Sequence, residues 1–156
     1  SYKKTLFLDD SEQSFSIEPP AWSIPEDVGS PNVTIEPSIK REGEYLVVNV
    51  ESNLISDAFL QGNADIPNYI TTGFDGSTFT NPDGSATLYI ENPEKDSRIK
   101  NLEEFEVVLK VNPTNSYQGP HVLEVYGENG EKFEGSLVKQ TDDYQDSEQR
   151  IKLNVD

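Results

Sequence analysis

Short runs of alternating apolar and polar residues, separated by turn residues, recur along the whole chain. In one run Phe105, Val107, Leu109 and Val111 occupy every second position, which is the period of a strand with one buried face. The spacing of these runs predicts a series of strands and no clear helix. The predicted strands are residues 2–8, 33–39, 45–50, 77–80, 86–90, 105–111, 121–126, 132–138 and 150–155, and residues 15–17 are expected to be a short extended piece.

Turn residues mark the places where these strands are joined. Residues 81–84, with the sequence Asn-Pro-Asp-Gly, predict a tight turn. Asn129 and Gly130 can adopt the positive φ of a two-residue turn, so residues 121–138 are predicted to form a hairpin. Pro37 cannot donate to a strand ladder, which predicts an edge strand or a bulge at that position.

The pattern predicts one all-β domain, an antiparallel β-sandwich of about nine strands, over residues 1–156. Residues 1–31 are rich in proline and are expected to be an extended N-terminal segment. Residues 114–156 are expected to be a C-terminal hairpin and a closing strand, too small to fold alone. Residues 52–68 stay ambiguous, since a helical turn there is limited by Gly62 and by the proline that follows.

The composition narrows the classes of partner. The chain has 29 acidic and 12 basic residues, and its net charge is −17. A surface of this kind repels phosphate backbones and anionic membranes, so neither a nucleic acid nor a membrane is expected as a partner. The sequence also has no apolar run near the ~20 residues that a membrane-spanning helix needs.

The residue types that most enzyme sites need are scarce. The chain has no cysteine and a single histidine, His121, so a thiolate nucleophile and a zinc site built from several histidines are both excluded. No Gly-x-Ser-x-Gly elbow and no phosphate-binding Gly-Lys loop occurs. The protein is therefore expected not to be an enzyme.

The middle of the chain resembles the Calx-beta family, an immunoglobulin-like β-sandwich found in exchanger regulatory domains, bacterial adhesins and phage structural proteins. The resemblance begins near residue 22 and ends near residue 113, and it implies an immunoglobulin-like core over residues 32–113. The motifs that carry it are residues 23–29, 45–50, 63–69, 76–90 and 102–109, the last with the pattern Glu-x-Phe-x-Val-x-Leu.

The resemblance also implies candidate ligands for calcium. Many members of the family bind Ca²⁺ through carboxylates clustered at one end of the sandwich, as a cation that needs six to eight oxygen ligands requires. By motif position, Glu26, Asp96 and Glu103 are the equivalent residues. The family's paired aspartates are here Asp96 and Ser97, and its next acidic position is Asn101, so the site would carry less charge. Calcium is the one cofactor that the resemblance implies, and the leading expectation is that none is bound.

The leading functional hypothesis is a non-enzymatic virion structural protein, such as a decoration or cement protein of a phage head or tail. Such a protein acts by protein–protein contacts with other structural proteins of the particle, either as a homo-oligomer or bound to the capsid. The start of the chain, which has no export signal, fits this hypothesis. Residues 9–31 are expected to reach a neighbour and to add a strand to it.

Two alternatives remain open at this point. The first is a calcium-stabilised module of a bacterial cell-surface adhesin, which would move the expected location from the virion to the cell surface. The second is a carbohydrate-binding module in which Trp22, Tyr69 and Tyr117 stack on sugar rings.

Overall fold

The computed structural model describes residues 25–68 and 73–155, and these ranges contain eight strands and one α-helix. The predicted strand at residues 2–8 and the extended piece at residues 15–17 lie outside the described residues, so the count of about nine strands stays a prediction. The strands are β1 (Ile35–Glu42), β2 (Tyr45–Ser52), β3 (Phe59–Asp65), β4 (Asp75–Phe79), β5 (Ala86–Glu91), β6 (Glu104–Val111), β7 (Val138–Gln140) and β8 (Gln145–Asn154). The helix is α1 (Pro120–Tyr126), and a 3₁₀ helix occupies Pro93–Lys95.

The strands form two antiparallel sheets. One has the order β1-β2-β5 and the other the order β4-β3-β6-β8-β7. The chain therefore passes from one sheet to the other after β2, after β4 and after β5. Buried side chains from both sheets belong to one hydrophobic core, which confirms the all-β class and the antiparallel arrangement.

The period-two pattern predicts the buried face of β6 correctly. Phe105, Val107, Leu109 and Val111 are each at most 1% exposed, and all four belong to the core. The strands predicted at residues 45–50, 77–80 and 86–90 are also present, as β2, β4 and β5. These elements agree with the prediction because alternation is what burial of one sheet face requires.

The ambiguous residues 52–68 contain a strand, β3, and Gly62 lies on its inner face. A Cβ at Gly62 would be 3.1 Å from Leu109 Cδ2 and 3.2 Å from both Ile90 Cδ1 and Leu88 Cδ2. Leu109 is in the sheet of β3, whereas Leu88 and Ile90 are in the opposite sheet. Glycine at this position therefore lets the two sheets approach closely.

Two strands at the edges of the sheets are poor templates for further strands. Strand β1 pairs only with β2, as Pro37 predicts for an edge strand, and Pro37 removes one N–H from the ladder. Strand β7, at the edge of the other sheet, has only three residues. Short edge strands and edge prolines both prevent edge-to-edge association.

The hairpin predicted at residues 121–138 is wrong, because its first half is the helix α1 and only Val138 of the second predicted strand, residues 132–138, belongs to β7. Pro120 is at the start of α1, where its fixed φ suits a helix and its missing N–H is not needed. Val122 and Tyr126 are one helical turn apart, and both are fully buried. The hairpin in this part of the chain is formed instead by β7 and β8, which are joined by a turn at residues 141–144.

Tyr126 attaches α1 to the rest of the domain. The N–H of Ile55 donates a hydrogen bond of 2.9 Å to the Tyr126 hydroxyl, and the Tyr126 ring stacks on Phe133 at 4.8 Å between centroids. Burial raises the pKa of Tyr126 to about 12, so the hydroxyl stays neutral. The contacts of Tyr126 therefore favour the helix α1 over the strand predicted at residues 121–126.

Residues 25–31 are not extended, which corrects the prediction for that part of the N-terminal segment. They form a turn that folds back on the domain. The N–H of Gly29 donates to the carbonyl of Asn53 at 2.7 Å, and the N–H of Glu134 donates to the carbonyl of Pro31 at 2.9 Å. The remainder of the predicted segment lies outside the described residues.

We predict that Tyr126→Phe lowers the free energy of unfolding by about 1–3 kcal/mol, because it leaves the partly buried N–H of Ile55 without its acceptor. Urea unfolding followed by circular dichroism measures the change. The control is Tyr89→Phe, since Tyr89 is 62% exposed. Equal stability of the two variants would contradict the role given to the Tyr126 hydroxyl.

Candidate functional site

The three acidic residues implied as calcium ligands do not lie together. The turn that contains Glu26 bonds to Asn53, just after the end of β2. The N–H of Asn92, a few residues before Asp96, donates to the carbonyl of Glu44, just before the start of β2, at 2.9 Å. Glu26 and Asp96 are therefore at opposite ends of an eight-residue strand, which spans about 25 Å.

Asp96 and Glu103 lie at the same end of the domain, but the Asp96 carboxylate already has a partner. Arg98 Nη2 is 2.6 Å from Asp96 Oδ2, and this hydrogen bond is the main reason that the pKa of Asp96 is lowered to about 2. Glu103 is exposed, and its carbonyl accepts the N–H of Val155. Within residues 25–68 and 73–155, no three acidic or histidine side chains are grouped to hold a metal ion.

His121, the single histidine, has a structural contact. Its Nε2 lies 2.7 Å from the carbonyl oxygen of Ser56, so that nitrogen donates the hydrogen bond. The contact joins the first turn of α1 to the loop before β3.

The outer face of the three-stranded sheet carries exposed aromatic side chains. Tyr45 is 48% exposed and Tyr89 is 62% exposed, and both point away from the core. Val47 is directly opposite Tyr89 in the register between β2 and β5. We call this surface, formed by Tyr45, Val47 and Tyr89, the tyrosine face.

The outer face of the five-stranded sheet contains a groove of about 600 Å³ between β3 and β4. We call it the β3–β4 groove. Outward-pointing side chains line it, because the alternate residues of β3 are buried in the core. The lining includes Phe59, Gln61, Asn63, Ser77 and Lys110.

One end of the β3–β4 groove is aromatic. The Phe59 ring centroid is 5.3 Å from that of Phe79 and 5.1 Å from that of Tyr117. Gln118 fixes this end, since its Oε1 accepts the N–H of Phe59 at 2.8 Å and its Nε2 donates to the carbonyl of Phe59 at 3.0 Å. The glutamine amide thus bonds to Phe59 as a neighbouring strand would.

A charged network lies on the same sheet face, beside the groove. Arg150 bonds to Asp65 at 3.1 Å and to Glu106 and Glu148 at 2.7 Å each. Burial of Glu148 opposes its ionisation, but hydrogen bonds and charges from Arg150 and Lys139 outweigh burial and lower its pKa. Asp65, which lines the groove, is therefore partly neutralised by Arg150.

Asp146, two residues before Glu148 on β8, is in a different environment. It is only 1% exposed, and its Oδ1 has no hydrogen-bond partner among the described residues. Burial raises its pKa, with a smaller opposing effect from Lys110. This carboxylate therefore weakens the folded state when it is ionised.

The sequence identified one residue near the β3–β4 groove in advance, Tyr117, which is 67% exposed beside it. Trp22 and Tyr69, proposed with it as sugar-stacking residues, lie outside the described residues. The contribution of Phe59, Gln61 and Asn63 was missed. Their alternation with buried neighbours in β3 is the signal that predicts a shared outward face.

Comparison with known proteins finds no matching family model, no similar curated protein and no similar solved structure. Among the described residues, no helix has the length and apolar character needed to cross a membrane.

We predict that millimolar CaCl₂ leaves the melting temperature unchanged relative to EDTA, because the described carboxylates are not grouped for calcium. Differential scanning calorimetry measures this, with MgCl₂ as the control for ionic strength. A ligand present at ~100 times its Kd adds about 2.7 kcal/mol of stability. A clear rise in the melting temperature with CaCl₂ but not with MgCl₂ would contradict this prediction and support a calcium site.

We predict that the free energy of unfolding of the Asp146→Asn variant, relative to that of the natural chain, increases as the pH rises. The folded pKa of Asp146 is raised above its ordinary value of 3.8, so the folded state holds the proton where the unfolded chain has lost it. The contribution of Asp146 to stability is fully present below its unfolded pKa and is lost as the pH rises through its folded pKa.

Urea unfolding of the Asp146→Asn variant at several values between about pH 4.5 and 7 measures the effect. The control is Asp142→Asn, an exposed aspartate in the β7–β8 turn, which should change stability by less than about 0.5 kcal/mol. A stability difference for Asp146→Asn that stays constant or shrinks with rising pH would refute the assignment.

Proposed function

We propose that this protein is a non-enzymatic structural protein of a virus particle, a decoration or cement protein of a phage head or tail. It binds other structural proteins of the particle through the tyrosine face. The exposure of Tyr45 and Tyr89 on a regular sheet is the observation that carries this proposal.

Tyrosine suits such a contact because it has a large apolar ring, a polar hydroxyl and few rotatable bonds. It is enriched among the residues that contribute most of the energy of protein–protein interfaces. On β2 and β5 the two tyrosines are held by strand pairing, so little conformational freedom is lost on binding. A sheet face is favoured over strand addition here, because the edge strands β1 and β7 are poor templates. The other two edge strands, β4 and β5, lie against each other, since a Cβ at Gly76 would meet the backbone carbonyl of Tyr89.

The charges around the tyrosine face indicate the chemistry of the partner. Glu42 and Glu91 are the cross-strand neighbours of Tyr45, and Glu51 is further along β2. Lys40, opposite Val47, pairs with Glu42 at 3.0 Å, and Lys95 and Arg98 line a pocket together with Tyr45 and Glu91. A partner surface with an apolar centre and charges of both signs around it complements this arrangement.

The strand order supports an immunoglobulin-like, Calx-beta-like sandwich as the fold of this structural protein. The first sheet contains strands 1, 2 and 5, and the second contains strands 3, 4 and 6 at its centre and edge. Crossings between sheets after the second, fourth and fifth strands are connections of the kind that immunoglobulin-like sandwiches use.

We predict that the chain copurifies with intact particles from its source and that lysine-reactive cross-linking joins Lys40 to a particle protein. Lys40 is beside the tyrosine face, whereas Lys152 is on the opposite sheet and serves as the internal control. Mass spectrometry identifies the linked peptides. Absence of the chain from purified particles, or cross-links at Lys152 without Lys40, would contradict the proposal.

Variants test the contact residues. Tyr89→Ala should weaken rebinding to particles lacking this protein by about tenfold, as expected for losing ~1.4 kcal/mol at a contact centre. Tyr144→Ala, in the β7–β8 turn, is the matched control. Equal binding of the two variants would exclude the tyrosine face as the contact surface.

A further inference from the structure

The β3–β4 groove is a second surface, separate from the tyrosine face and on the other sheet. Its volume of about 600 Å³ is within the range of ~300–1,000 Å³ typical of pockets that hold small ligands. The groove lies on the five-stranded sheet, and the described side chains on the outer face of that sheet are mostly polar. Ligand binding in this groove is independent of the proposed role in a virus particle, since the two surfaces share no residue.

The middle of the groove offers side-chain hydrogen-bonding groups that no other described residue bonds to. Gln61 and Asn63 project from β3 and Ser77 projects from β4. In the ranges 25–68 and 73–155, no hydrogen bond satisfies the side chains of these three residues. Each amide supplies donors and an acceptor, and the hydroxyl supplies both. A ligand with several hydroxyl groups can bond to all three side chains.

Two exposed aromatic rings lie next to the Phe59 end of the groove, just outside its lining. Tyr117 is 67% exposed and Phe79 is 43% exposed, while Phe59 beneath them is only 8% exposed. Gln118 hydrogen-bonds to the backbone of Phe59 and thereby holds Phe59 in place next to Tyr117. An exposed aromatic ring beside free amides is a combination that suits the apolar face and the hydroxyl rim of a sugar ring.

The charges in the groove favour a neutral ligand. Asp65 is bonded to Arg150. The two other charged side chains of the lining are Asp75 and Lys110, which carry opposite charges. A polyanion would also be repelled by the net charge of −17. Neither a phosphorylated ligand nor an acidic glycan fits these conditions.

We propose that the β3–β4 groove binds a neutral carbohydrate. A sugar ring stacks on Tyr117, and the hydroxyl groups of the ring and of the next residue bond to Gln61, Asn63 and Ser77. The ligand class is a short neutral oligosaccharide, because the lining runs along β3 from Phe59 to Asp65, roughly 20 Å, and one sugar ring is shorter than that.

The first test is a glycan array that carries neutral and acidic glycans, followed by amide chemical-shift titration with the neutral trisaccharides maltotriose, cellotriose, mannotriose and chitotriose. We expect binding to at least one neutral glycan, with shifts at β3, β4 and residues 117–118. Silence across the neutral glycans, binding of acidic glycans alone, or shifts confined to the three-stranded sheet would overturn the proposal.

The second test uses variants with the neutral glycan that gives the largest shifts. Tyr117→Ala and Asn63→Ala should each weaken binding by about fivefold or more, as expected for losing one stacking or hydrogen-bonding group. Asn154→Ala is the matched control, since Asn154 is an asparagine of β8 on the same sheet but outside the groove lining. Unchanged binding by both groove variants would also overturn the proposal, whatever happens to particle binding.

Discussion

The inner faces of the two sheets meet at Gly62, and the rest of the structure depends on that close approach. A methyl group there would be 3.1–3.2 Å from Leu88, Ile90 and Leu109, which come from both sheets. The close packing that leaves so little room at Gly62 removes the apolar side chains from water, which is the main favourable contribution to folding. Side chains alternate between the two faces of a strand, so each residue that points into the core places its two chain neighbours on the outer face.

Burial of one face therefore creates two outer surfaces with different chemistry. The smaller sheet presents Tyr45 and Tyr89 among acidic residues, a combination suited to a protein partner. The larger sheet presents amides and hydroxyls beside Tyr117, a combination suited to a sugar. The two surfaces face in opposite directions, since the core lies between them. A protein attached to a particle by the first surface would leave the second one free.

The elements that follow from a local pattern were predicted correctly from the sequence. The features that depend on contacts between residues far apart in the chain were not. Strand β6 follows from four alternating apolar residues, whereas residues 121–126 were assigned to a strand although Pro120 and the spacing of Val122 and Tyr126 by one helical turn fit a helix. The Tyr126 hydroxyl bonds to Ile55 across 71 residues, and this contact, which the local sequence does not contain, also favours the helix. The groove was missed for the same reason, because Gln118 contacts Phe59 across 59 residues.

Both outer surfaces exist only if the two sheets pack face to face with these particular side chains inside. Nuclear Overhauser spectroscopy on methyl-labelled protein tests this packing most directly. We expect strong cross-peaks from the methyls of Leu88 and Ile90 to those of Leu109, across the interface at Gly62. Cross-peaks that join Val47 to Leu109 in their place would mean that β2 and β5 turn their other face to the core, and they would contradict this packing.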